Sequence, residues 1–272
     1  MALERAQRAF IRQVALRRRT APLRFTARFA RAFLRAYGNW DYDPESNGER
    51  RVLEVLGRSA PRCFFDVGAN TGAWTQLARG SVPSADVHCF EIVPDTARDL
   101  ERNVAALPGV TVNAVGMSDR AGTVSVRFYP GASELSGIDP LPLDEPSETR
   151  ECPVTTGDLY CRDNGIDRID LLKVDVEGAE REVLGGFSQM LAERSIAAVQ
   201  FEYGLVNIRS HVLLADFHEL FESAGFVVGK IFPDGVDFRA YEMERDEDFT
   251  GPNYLAVQRE REDLIDALRG SA

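Results

Sequence analysis

The apolar pair Phe64-Phe65 runs directly into Asp66-Val67-Gly68-Ala69-Asn70-Thr71-Gly72, with Ala73-Trp74-Thr75 following. The first half reads as a buried parallel strand and the second as a glycine-bearing turn opening a helix. The glycines let the backbone turn tightly and let a ligand approach without meeting a Cβ. Unpaired N–H groups at the start of the helix favour an anionic group. The spacing is Gly68-x-x-x-Gly72, not the Gly-x-Gly-x-x-Gly that houses a diphosphate. A cofactor without a diphosphate fits better, and Asp66 at the strand end offers a carboxylate to a cationic amine. An amino-acid head group would satisfy both features.

Strand-like and helix-like segments alternate after this turn. Strands are expected at Val87–Glu91, Val110–Val115, Ile169–Val174, Ile196–Tyr203, Phe226–Ile231 and Tyr254–Val257, with helices at Gly48–Leu56, Thr75–Arg79, Asp95–Leu107, Ala179–Leu191 and Leu213–Ala224. That rhythm predicts an α/β fold with a doubly wound, mostly parallel sheet. One insertion breaks it. Thr123–Tyr129 alternates like an extra strand, and Pro130–Glu151 reads as a long proline-rich, acidic loop, a candidate substrate lid.

In such a sheet, ligands sit beyond the carboxyl ends of the strands. Glu91 ends the second strand, where a carboxylate can accept hydrogen bonds from both ribose hydroxyls. Ser118 and Asp119, in a polar turn after the third, can meet an adenine edge. Asp175 and Glu177 follow the fourth strand and Glu202 lies in the fifth. This ordered set describes a ribose-bearing cofactor with an amino-acid tail and no diphosphate, for which S-adenosyl-L-methionine is the natural candidate. An acceptor alcohol is a poor nucleophile, so a carboxylate that takes its proton, or a divalent metal, would help. Asp175, Glu177 and Glu202 are the catalytic candidates, with Asp175 or Glu177 as base or metal ligand, and no metal site is assigned. Lys173, within an apolar run, either pairs with one of these acids or snorkels to the surface.

The blocks Phe65-Asp66-Val67-Gly68-Ala69-Asn70-Thr71-Gly72, Phe90-Glu91-Ile92-Val93-Pro94, Ile169 through Glu180, and Gln200-Phe201-Glu202-Tyr203-Gly204 resemble the FkbM family of class I S-adenosylmethionine-dependent methyltransferases. The similarity spans roughly residues 45–258. It implies a Rossmann-like, seven-stranded sheet whose last strand is antiparallel, and O-methylation of a hydroxyl on a sugar, glycan, polyketide or similar acceptor. It also implies that Asp66, Gly68, Asn70 and Gly72 line the methionine portion, Glu91 the ribose, and Ser118 with Asp119 the adenine. Ile92 stands where such sequences often carry Pro. Two other readings stay open: an NAD-dependent oxidoreductase, which the glycine spacing disfavours, and a non-catalytic cofactor-binding scaffold. N-methylation is disfavoured because Asp175-Val176-Glu177-Gly178 replaces the Asp/Asn-Pro-Pro-aromatic pattern of amino methyltransferases.

Charge divides the 272-residue chain. Residues 1–40 hold ten Arg and one acid, Glu4, for a net of +9, which leaves −20 on the remainder of a chain whose net charge is −11. The acidic body argues against nucleic acid as a partner. Phe25, Phe29, Phe33 and Tyr37 recur every four residues on one helix face, with Pro22 separating two helices. The segment 1–40 is therefore a basic amphipathic helical extension, placed to touch a membrane surface or to dock on the acidic body or a second subunit. Residues 259–272 read as a C-terminal helical tail. Four cysteines without a Cys-x-x-Cys pair predict buried free thiols, and with no secretory signal the expected location is cytoplasmic.

Overall fold

The computed structural model describes residues 2–138 and 144–270, which fall into two compact units, Met1–Trp40 and Asp41–Ala272. The first unit is two helices, Ala2–Arg17 and Ala21–Tyr37, with Pro22 in the opening turn of the second, where its missing N–H costs no hydrogen bond. No residue of the second helix is buried.

Among the described residues the second unit has eleven strands: β1 (Cys63–Val67), β2 (Asp86–Phe90), β3 (Val110–Asn113), β4 (Gly116–Met117), β5 (Gly122–Phe128), β6 (Glu148–Thr155), β7 (Leu171–Val174), β8 (Ala198–Glu202), β9 (Phe226–Phe232), β10 (Gly235–Phe238) and β11 (Asn253–Gln258). The main sheet has the order β10-β9-β11-β8-β7-β1-β2-β3. From β3 to β8 every pairing is parallel, and β11 runs antiparallel between β8 and β9. This is a class I methyltransferase-like α/β arrangement, but with eight strands where seven are expected. The extra one, β10, folds back on β9 through Pro233-Asp234, with Phe232 paired to Gly235. Pro-Asp-Gly between two apolar runs is a turn signal that marks this hairpin in the sequence.

Side chains alternate across the sheet because the strand period is two. Phe64 joins Val52, Leu56, Trp74 and Leu100 on one face, while Phe65 and Val67 join Phe187, Phe201 and Phe217 on the other. Both faces are thus covered, as a parallel sheet requires. The expected helix Ala179–Leu191 is two short ones, Glu180–Gly185 and Ser188–Ala192. They part at Gly186, where a Cβ would lie 2.1 Å from the Ser118 carbonyl oxygen. A further helix, Gly157–Asn164, lay unread in the sequence.

The insertion is a second, three-stranded sheet, β4-β6-β5. Thr123–Tyr129 is strand as expected, in β5, but Pro130–Glu151 is not all loop. Its end enters β6, which pairs antiparallel with β5 from Gly122↔Val154 to Phe128↔Glu148. Its beginning holds a 3-10 turn, Ser133–Leu135, and a bridge between Gly137 and Arg127. Residues 139–143 of the candidate lid lie outside the described residues.

Candidate active site

The turn after β1 is fixed by two close approaches. Gly68 has φ +80°, and a Cβ there would sit 1.8 Å from the carbonyl oxygen of Asp175. Gly72 has φ +93° and lies against Leu100, whose Cδ1 would be 2.7 Å from an added Cβ. Only glycine fits either position. Between them Asn70 holds φ +46°, a conformation asparagine tolerates better than most residues.

A cavity opens at the carboxyl ends of β1, β2 and β7. Gly68, Asn70, Glu91, Asp175 and Glu177 bring polar groups to its wall, and Phe90, Ile92, Met117 and Val126 give it an apolar side. Glu91 is 7% exposed and holds two segments together: Oε2 accepts from the Asn70 N–H at 3.0 Å and Oε1 from the Val93 N–H at 2.8 Å. Burial pushes its carboxyl above the usual range, and those two donors pull against the shift.

Five of the sequence candidates stand away from that wall. Asp66 is fully buried, because the two-residue period turns it to the Phe64 face of the sheet. There Oδ2 accepts from Thr75 Oγ1 at 2.7 Å, and Lys173 Nζ approaches Oδ1 to 3.2 Å. Gly72 shapes the turn from behind. Ser118 is buried, with its N–H bonded to the Thr155 carbonyl and its hydroxyl 3.3 Å from Asp119. Glu202 is 7% exposed and reaches Asp175 and Glu177 from the end of β8.

Lys173 pairs rather than snorkels. It sits directly beside Asp66 in the β1–β7 register, and its Nζ is also 3.2 Å from Asp175 Oδ2. Burial pulls its ammonium down, but Asp175 and Asp66 outweigh that and keep it charged. The same row continues through Gln200, its register partner in β8, to Glu49, whose Oε2 accepts from Gln200 Nε2 at 2.7 Å. The parity of β1, β7 and β8 places this polar row under the site, a feature the sequence reading missed.

On the cavity side, Glu177 is half-buried and lies in the left-handed region at φ +56°. Its carboxyl is pushed up to about 8, first by burial and then by the charges of Asp175, Glu180 and Glu134. Glu202 is pushed well up by burial and by Asp175, Glu177 and Glu180. Glu180, unassigned from sequence, is fully buried and accepts from the Val176 and Gly178 N–H groups, each at 3.1 Å.

The segment Ser133–Ile138 lies across the cavity. Ser133 Oγ donates to Asn70 Oδ1 at 3.1 Å, and Gly137 packs against Glu177, whose Cβ would be 3.2 Å from a Cβ added there. The space left measures about 70 Å³, enough for only a few waters.

The sequence model of the methyltransferase FkbM domain matches residues 66–228, more than half of the chain. The chain belongs to the FkbM methyltransferase family. This FkbM-family enzyme is 30% identical over 185 residues to methyltransferase sdnD of Sordaria araneosa, a match covering 56% of the chain and 71% of sdnD. It is 28% identical over 159 residues to the 2-O-methyltransferase NoeI of Sinorhizobium fredii, covering 53% and 64% of the two chains. Over 150 residues it is 31% identical to the 31-O-demethyl-FK506 methyltransferase FkbM of Streptomyces tacrolimicus, covering 45% and 58%. The FkbM-family match begins at Asp66 and takes in Glu91, Asp175, Glu177 and Glu202, but none of Met1–Trp40.

Proposed function

We propose that this protein is an S-adenosylmethionine-dependent O-methyltransferase acting on a hydroxyl of a sugar, glycan or other small acceptor. The observation that carries the reading is the shared cavity: Gly68, Asn70 and Glu91 line it together with Asp175 and Glu177. Donor-type and acceptor-type groups therefore face one space. NoeI and the FK506 enzyme are both named for methylation at oxygen, which supports oxygen over nitrogen here.

The residues fit the donor chemically. Glu91 would accept from the ribose hydroxyls, Phe90, Ile92, Met117 and Val126 offer an apolar bed for the adenine, and the Gly68–Asn70 backbone would face the amino-acid end. When bound, the donor supplies a methyl group on a sulfonium, electrophilic enough to need no further activation. The chain's own work is to hold the acceptor oxygen in line and to take its proton. Glu177, with its carboxyl near 8, can accept that proton close to neutral pH. Asp175, anchored by Lys173, lies beside it. The Ser133–Ile138 segment has to swing outward for a nucleoside to enter.

Calorimetry with S-adenosylhomocysteine, followed by labelled-methyl transfer to a panel of hydroxylated acceptors, tests the reading. Saturable binding and label at oxygen are expected. Tight NAD binding without S-adenosylhomocysteine binding would favour an oxidoreductase and overturn the proposal.

A further inference from the structure

Asp175, Glu177 and Glu202 each offer one carboxylate oxygen, and the three oxygens lie within 4.8 Å of one another. Lys173 is shared between Asp175 and Asp66, so it does not balance the group. Glu202 Oε2 is buried and accepts no hydrogen bond, and the residue is 7% exposed. Glu180 adds a second buried orphan oxygen, Oε2, within electrostatic reach of Glu177 and Glu202. A buried carboxylate oxygen with no donor is costly, and several together are more so.

We propose that Asp175, Glu177 and Glu202 form a binding site for a hard divalent cation, with waters or an acceptor oxygen completing its shell. All three ligands are carboxylate oxygens, which select Mg²⁺, Mn²⁺ or Ca²⁺ over softer metals. Glu202 supplies the inward ligand, and Asp175 and Glu177 open onto the cavity from which an ion can enter. The use of the ion in methyl transfer rests on the function proposed above, but its binding does not.

Mn²⁺ is the probe, followed in the full chain by electron paramagnetic resonance of the free ion. One saturable site per chain is expected, displaced by Mg²⁺, and weakened about tenfold or more in Glu202→Gln and in Glu177→Gln because each loses an ionised ligand. Both variants are isosteric and relieve the mutual repulsion of the clustered acids, so their melting temperatures without metal should equal or exceed that of the parent, and the Mn²⁺-induced rise in melting temperature should vanish. No saturable binding by the parent, or binding unchanged in both variants, overturns the site. If Mn²⁺ binds as described and no acceptor hydroxyl is methylated, the enzymatic reading falls and the site stands.

An independent observation concerns Met1–Trp40. On the helix Ala21–Tyr37, Phe25, Phe29, Phe33 and Tyr37 are 57–76% exposed. At about 100° per residue, Arg24, Arg28, Arg31 and Arg35 centre on the opposite flank. An acidic protein surface would engage the arginines and leave the aromatics in water. A lipid interface takes both, the rings entering the acyl boundary while the guanidinium groups snorkel to phosphates. We infer that this unit binds an anionic bilayer surface. Sedimentation with phosphatidylglycerol–phosphatidylcholine vesicles should carry the full chain down, weakened by salt and lost in Phe29→Asp/Phe33→Asp. Equal binding to pure phosphatidylcholine, no vesicle binding, or self-association through the aromatic stripe in place of vesicle binding overturns it.

Discussion

Lys173 Nζ stands 3.2 Å from Asp175 Oδ2 and at the same distance from Asp66 Oδ1, so one ammonium ties the cavity-lining Asp175 to a carboxylate with no solvent exposure. Lys173→Met should therefore destabilise the fold by about 3–5 kcal/mol, chiefly by leaving Asp66 charged and unpaired. Adding Asp66→Asn should restore much of that loss. Urea unfolding of the three proteins checks it, and a double variant as unstable as the single one contradicts the pairing argument.

Glu91 both faces the proposed ribose position and clamps the turn through Asn70. Glu91→Ala should weaken S-adenosylhomocysteine binding by about 2–3 kcal/mol, as loss of charge-assisted hydrogen bonds does. Calorimetry on a variant verified as folded provides the measurement. An unchanged dissociation constant would move the ribose elsewhere.

Ser133 fastens the covering segment to Asn70 by one hydrogen bond. Ser133→Ala removes a bond made only while the cavity is covered, so donor affinity should rise by about 1 kcal/mol, roughly fivefold. Weaker binding would mean that the segment holds the donor rather than excluding it.

Glu247 receives Tyr203 Oη, Tyr241 Oη and the Leu214 and Ala215 N–H groups. Burial pushes its carboxyl up, but these four donors outweigh that and hold it below the usual range. A depressed carboxyl stabilises the fold above its unfolded pKa and loses that contribution as pH falls through its folded value. Glu247→Gln should cost about 1–2 kcal/mol at pH 7. The gap from the parent should close below about pH 4, near the range where unfolded glutamates titrate, as followed by chemical denaturation at several pH values.

The succession of strands along the chain and the turn at Gly68 were legible because each rests on a local pattern: apolar runs of strand length, glycine spacing, and acids at strand ends. The direction of Asp66 was also latent in the sequence, since Phe65 and Val67 must share a face and Asp66 must oppose them. Reading strand ends as a list hid that parity. Glu180 was hidden for another reason, as its burial depends on the short helices packing beneath β7, which no local signal announces. The second sheet was half legible: β5 alternates, but β6 begins among charged residues, and only its pairing with β5 makes it a strand. The covering segment Ser133–Ile138 falls inside the stretch expected to be a lid, but its exact place over Asn70 and Glu177 comes from the closure of that second sheet, which no local pattern announces.

The contact between Gly68 and the Asp175 carbonyl has a bearing on how acceptor preference can change. It fuses the proposed donor turn and the proposed acceptor acid into one wall, so a strand-end substitution that reshapes one half displaces the other. Variation in what is methylated is more cheaply accommodated in the small inserted sheet, which borders the cavity through Val126 and Ser133–Ile138 and can be redrawn without disturbing the hinge of that wall.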